Sequence, residues 1–169
     1  MKIADLLVDA FGRVQEAVHD AVEGFTPEEL TERLDAKSNT IAWLVWHLTR
    51  VQDDHIADIA GTEQIWTAQG WADRFKLPFS VRVTGYGHTS KQVAAVRVDS
   101  VELLTDYYDA VHEYTVRYVR GLSGVALDRV VDEGWTPSVT LGVRLVSVIS
   151  EGLQHAGQAA FIGGVLRRR

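Results

Sequence analysis

The chain contains no cysteine. Disulfides, thiolate nucleophiles and cysteine metal sites are therefore excluded, and any metal must sit on His, Asp or Glu. It has no surplus of positive charge either: the formal net charge is −6. That argues against nucleic acid, whose phosphates need a basic patch, and against an anionic membrane surface. The tail Arg167-Arg168-Arg169 is the one basic cluster, read as a frayed, solubilising helix end. No uncharged run reaches membrane length. Asp5 and Asp9 interrupt the apolar pattern of the N-terminal stretch, so no signal peptide is expected and the protein reads as cytoplasmic. A GxSxG elbow is missing, which removes the usual nucleophilic triad. Lysine is scarce, with 4 against 13 Arg. Together with abundant Ala, Val and Gly, this bias points to a GC-rich genome and an actinobacterial source.

What is present is an ordinary globular composition, 46% apolar and 24% charged over 169 residues. One domain spanning 1–169 is expected, long enough to bury a core unaided. Four helical segments stand out by spacing. The first runs from about Ile3 to Val22 and is followed by a turn in which Thr26 caps and Pro27 opens. The second runs from about Thr40 to Ala60, with Ile41, Leu44, Leu48, Ile56 and Ile59 as its stripe and Gly61 after its end. The third runs from about Ser100 to Arg120, and the fourth from Thr140 to about Leu166. Residues 61–98 are the least regular, with a short helix near Trp71 to Phe75, and read as a long crossover connection, a kind of loop that often carries function. A short strand is expected at Arg129 to Val131. The pattern predicts an all-α four-helix bundle with one long crossover between helices two and three.

Chemistry can sit in two places. From Ile41 to Thr49 the only ionisable group is His47. A helix apolar nearly all round is buried on more than one side, and a buried imidazole needs a partner or a metal. Taken alone, His47 reads as a core histidine bonded to a carbonyl. On the fourth helix Glu151 and His155 stand four residues apart, on one face, with Gln158 a turn later. By itself that is a surface pair worth a few tenths of a kcal/mol. Brought together inside a bundle, the three side chains make a three-point site for a divalent ion. Three protein ligands leave a fourth position open, which is the catalytic arrangement. Arg50 and Asp54 are weaker candidates. Arg50, one turn from His47, could meet a carboxylate of a ligand or of a packed helix. Asp54 returns to the face of His47 and could orient a ligand, although a solvated helix end explains it, and His55, more simply. His19, His88 and His112 read as exposed. Trp43, Trp46, Trp71 and Tyr86 could line a pocket, with core packing the better account of any one of them.

At these residues the sequence resembles a known family. SNTIAWLVWHLTRVQDDH and EGLQHAGQAAFIGGVLR resemble the two signature segments of the DinB-like superfamily, in the second of which two spaced histidines are metal ligands. Helix order, length and the long middle connection agree over essentially the whole chain. Glu151 stands where many relatives have the first histidine. In this the chain resembles the mycothiol-dependent branch, which uses His-Glu-His and includes maleylpyruvate isomerase and mycothiol S-transferases. The length is more similar to the S-transferases, since the isomerase carries a further C-terminal domain. The resemblance implies His47, Glu151 and His155 as metal ligands, a divalent ion (Zn²⁺ first), mycothiol as co-substrate, an electrophilic small molecule as acceptor, and it admits a homodimer. Two other functions fit the same scaffold: a metal-dependent hydrolase, with water in the open position, and a non-enzymatic stress-related binding module.

Overall fold

The computed structural model describes residues 2–169. Four long helices dominate it: α1 (Ile3–Val22), α3 (Ile41–Ala60), α7 (Val101–Arg120) and α8 (Leu141–Leu166). α1 packs on α7 and α8, and α3 packs on the same two, so α1 and α3 lie opposite each other. The all-α expectation holds, but four helices alone understate the architecture. Four short helices are added: α2 (Pro27–Leu30), α4 (Ile65–Ala68), α5 (Trp71–Phe75) and α6 (Ser90–Ala95). A 3₁₀ turn at Gly124–Asp128 leads into an antiparallel pair, β1 (Val130–Asp132) with β2 (Val139–Thr140). Among the described residues no helix is long and apolar enough to cross a membrane.

The helices begin where side chains satisfy their free N–H groups. Thr40 accepts from Trp43 N at 3.0 Å, Ser100 from Leu103 N at 3.2 Å and Thr140 from Val143 N at 3.4 Å. Thr26 and Glu29 form a capping box with Pro27 in the first turn. α3 ends at Gly61, whose left-handed backbone (φ 68°) suits glycine. Residues 41–50 of α3 are all buried, as expected of a helix apolar on every side. The core runs from Trp46, Tyr107 and Tyr108 at one end to Phe11, Ile56, Leu141 and Leu145 at the other.

The crossover at residues 61–98 is pinned to α3 by a buried ion pair. Arg50 and Asp53, both fully buried, lie 3.6 Å apart. Asp53 accepts from the backbone N–H groups of Ile65 and Trp66 and from the Tyr107 hydroxyl, all at 2.8 Å. Burial pushes the Asp53 carboxyl above its ordinary value, and these three donors with Arg50 oppose the rise. Arg50 donates to Gln64 Oε1 at 2.8 Å, to the Val81 carbonyl at 3.2 Å and to the Val83 carbonyl at 3.3 Å. Arg50 thus has its acid on its own helix and is not available to a ligand.

On α8, Val143 and Val146 are exposed. The basic tail is engaged rather than frayed: Arg167 donates to the Glu23 carbonyl at 2.6 Å and Arg169 pairs with Glu32 at 2.9 Å. α8 comes close to α1 through Gly152, where a Cβ would stand 2.9 Å from Val14 Cγ1. Val14 is fully buried and stiff at its branch point, so it cannot yield cheaply. Gly152→Ala gains about 1 kcal/mol of helix propensity but overpacks this contact, at a cost of about 1–3 kcal/mol. The expected outcome is a melting temperature lowered by about 2–4 °C per net kcal/mol, read by calorimetry; a raised melting temperature would show that the helices are not this close.

Candidate metal centre

α3 supplies His47 and α8 supplies Glu151 and His155, and the helix pairing brings them together. His47 Nε2 lies 3.3 Å and His155 Nε2 3.2 Å from the same oxygen, Glu151 Oε1. One donor atom from each residue falls within 4.8 Å of the other two. His47 is buried, and Glu151 and His155 are half-buried. The imidazole rings meet edge to face at 5.0 Å between centroids.

These distances discriminate between two arrangements. A charge-assisted N–H···O bond settles near 2.7–2.9 Å. Ligands on a tetrahedral ion with bonds of about 2.0–2.1 Å stand about 3.3 Å apart. The two separations to Glu151 Oε1, 3.3 and 3.2 Å, are close to the second. Glu151 Oε2 is buried and has no hydrogen-bond partner, an uncommon state for a carboxylate oxygen and one that a cation relieves. The donor set, two imidazole nitrogens and a carboxylate, is one that zinc and similar ions accept. On these observations the residues fit a divalent metal.

The other ring nitrogens are held so that Nε2 points inward. His47 Nδ1 lies 2.6 Å from the Thr84 carbonyl and His155 Nδ1 lies 2.8 Å from Gln158 Oε1. Each Nδ1–H therefore donates outward, leaving the Nε2 lone pair free for a cation; such outer bonds orient metal-binding histidines. Burial pushes the Glu151 carboxyl up, but without a metal, where a protonated imidazole can donate from Nε2 instead of offering a lone pair, hydrogen bonds and charge from His155 and His47 outweigh burial and bring it down to about 2. Glu151 raises the His155 imidazole in return, against the opposing effect of burial, with Gln158 adding to the rise.

Trp43 stacks on His47 at 4.6 Å and 17° and meets the edge of His155 at 6.3 Å. Its indole N–H donates to His88 Nδ1 at 3.1 Å. His88, expected to be exposed, is half-buried beside Trp46, and its Nε2 is buried without a partner. Burial lowers its pKa, and His47 adds to the effect. His112 and His19 are half-buried too, the latter bonded to Asp109 at 2.9 Å on the α1–α7 side. His55 is half-buried with its Nδ1 2.9 Å from Arg144 Nη1, not at a solvated helix end. Asp54 accepts from Gln64 Nε2 at 2.6 Å, which ties it to the crossover. Of the four aromatic candidates, Trp43 is at the triad, Trp46 lies behind it against Trp66 and His88, and Trp71 packs in the core on Tyr107. Tyr86 is 93% exposed.

Thr84 could not be foreseen, because a backbone carbonyl leaves no mark in residue type. Gly85 was the available clue. Its φ is +100°, and a Cβ there would stand 2.7 Å from His47 Nδ1 and 3.0 Å from Trp46, so both the backbone angle and the space require glycine. Gly85→Ala should push the Thr84 carbonyl off His47 and lower metal affinity by about 10–100-fold, as loss of an outer-shell partner does. A chelator competition read beside circular dichroism checks this; unchanged affinity at unchanged helicity would remove Thr84 from the site.

A family model described as Mycothiol-S-transferase matches residues 6–167. Among solved structures, the chain is similar to one described as "the conserved protein of locus from Enterococcus faecalis", at 30% identity and a TM-score of 0.90, over 96% of this chain and 95% of that one. No curated protein matches. The helical fold and the match over nearly the whole length lead to one assignment: the chain belongs to the Mycothiol-S-transferase family, a family of transferases.

Proposed function

We propose that this chain, acting as a single domain with its long helices as one bundle, transfers mycothiol to an electrophilic small molecule at a metal held by His47, Glu151 and His155. The carrying observation is the triad itself, with ligand-like separations and an orphaned Glu151 oxygen, in a chain of this family. Zn²⁺ is the ion proposed, because imidazole and carboxylate ligands with an open fourth position suit it. When bound, a divalent cation supplies the charge that favours thiolate over thiol, and the thiolate is the nucleophile.

The remaining work falls to the chain. Glu151, ionised throughout the physiological range, gives the ligand set a single negative charge. A divalent ion there keeps a net positive charge, which both attracts sulfur and lets it leave. Thr84 and Gln158 hold the imidazoles in the tautomer that binds. The Trp43 indole covers the His47 ring and keeps water from that side of the triad.

The proposal is tested by mycothiol consumption with a chlorinated aromatic electrophile, comparing the wild type with Glu151→Gln. Loss of a ligand should weaken metal binding by more than about 100-fold, beyond the range for outer partners, and abolish transfer with helicity kept. Full transfer by the metal-free variant would refute the proposal, and thiol-free hydrolysis of an ester would replace it with the hydrolase reading. A pH titration gives a second check. The metal needs neutral His155, whose pKa Glu151 raises, so metal and proton compete. Metal affinity should be constant above that pKa and fall about tenfold per pH unit below it; affinity independent of pH would exclude His155 as a ligand.

A further inference from the structure

We infer that His88 is a positioning residue for the metal centre: its Nδ1 holds the Trp43 indole in place across the imidazoles of His47 and His155. This rests on the reading of the triad as a metal site and adds a residue to it. Trp43 donates its indole N–H to His88 Nδ1 at 3.1 Å. The same indole lies flat on His47, with centroids 4.6 Å and planes 17° apart, and meets His155 at 6.3 Å and 81°. It therefore bears on both imidazoles of the triad. An indole can turn about χ2, whose wells are broad and roughly two-fold. Stacking alone does not choose between those orientations, whereas an acceptor on one side does.

Two observations set His88 apart from a packing residue. The first is its orphaned nitrogen. An indole N–H is a donor only, so His88 Nδ1 accepts and the proton of the neutral ring sits on Nε2. That Nε2 is buried with no partner, an uncommon state for a polar atom. His88 lies against Trp46 at 5.8 Å and Phe79 at 4.8 Å, and an apolar side chain would fill that place without leaving a donor unpaired. What the imidazole adds is the acceptor at Nδ1. The second is the turn on which it stands. The His88 N–H donates to the Gly85 carbonyl at 3.1 Å. The carbonyl just before that turn, on Thr84, meets His47 Nδ1 at 2.6 Å. Residues 84–88 thus present two acceptors to α3, one for His47 itself and one for the indole that covers it. Trp43 and His47 are about one helical turn apart, so one short segment grips both.

The test compares His88→Leu, which removes the acceptor and keeps apolar bulk, with His88→Asn, whose side-chain oxygen can stand where Nδ1 does. The first readout uses metal-free protein. The ring protons of His47 lie over the indole face and resonate upfield. His88→Leu should move them back toward their ordinary positions, and His88→Asn should leave them in place. The second readout is Zn²⁺ affinity by chelator competition. It should fall about tenfold in His88→Leu, the low end of what loss of an outer partner costs, and recover in His88→Asn, with helicity unchanged throughout. A cycle with Trp43→Phe, which keeps a ring but has no N–H, shows the route. In that background His88→Leu should change affinity by less than about twofold, because residues acting through one bond are not additive. An equal loss in both backgrounds would mean that His88 acts by packing alone. His88→Asn no better than His88→Leu would mean that the acceptor is idle. Either result overturns the inference, as would His47 ring signals unmoved in His88→Leu. If the wild type binds no divalent ion the metal-centre reading fails, while the ring signals still decide whether His88 holds the stack.

Discussion

The buried pair of Arg50 and Asp53 is the constraint on which the placement of the site depends. It joins a helix to a connection that has little regular structure of its own. Asp53 takes the N–H groups that open α4, and Arg50 takes two carbonyls from residues 81–83. The next residue, Thr84, is then where its carbonyl meets His47. Such a pair is a poor source of net stability, since desolvation offsets its attraction, but losing one partner costs on the order of 3–5 kcal/mol. Its effect is on position: the long crossover has one place to lie, and that place sets the imidazole's tautomer. Arg50 therefore acts on the site through the backbone rather than by touching a ligand.

The triad is a second constraint, with opposite electrostatics. Arg50 and Asp53 satisfy each other, whereas the triad is left incomplete. Two imidazoles converge on one oxygen of Glu151 while the other oxygen is buried with no donor. An arrangement of this kind is costly unless a cation completes it. A carboxylate in place of a third imidazole lowers the net charge of a bound divalent ion and ties the site electrically to His155, each shifting the other's protonation.

Much of this could be read from residues alone. The long helices have strong caps and regular apolar spacing, and their limits fall within a residue or two of expectation. His47 was visible as a lone ionisable group in an uncharged turn, and Glu151 with His155 by helical spacing. What escaped was carried by features that residue type does not encode. The helices of 4–6 residues at Ile65–Ala68 and Ser90–Ala95 are too short for periodicity. Arg50 reaches Val81 and Tyr107, 31 and 57 positions away, so its burial depends on the fold. His88 looked like a loop histidine because its cover, Trp43 and Trp46, is distant in sequence. Tyr86 differed the other way: it read as a core aromatic or a pocket wall, and it lies in solvent.

The family assignment and the geometry meet in one claim, that the thiol sulfur binds a metal at His47, Glu151 and His155. Cobalt substitution reads this directly, because Co²⁺ takes similar ligands and is coloured. With the protein loaded with one Co²⁺, addition of mycothiol should produce a sulfur-to-cobalt charge-transfer band that saturates at one thiol per site. The same addition to Glu151→Gln should give no such band. A cobalt spectrum left unchanged by mycothiol in the wild type would contradict the account.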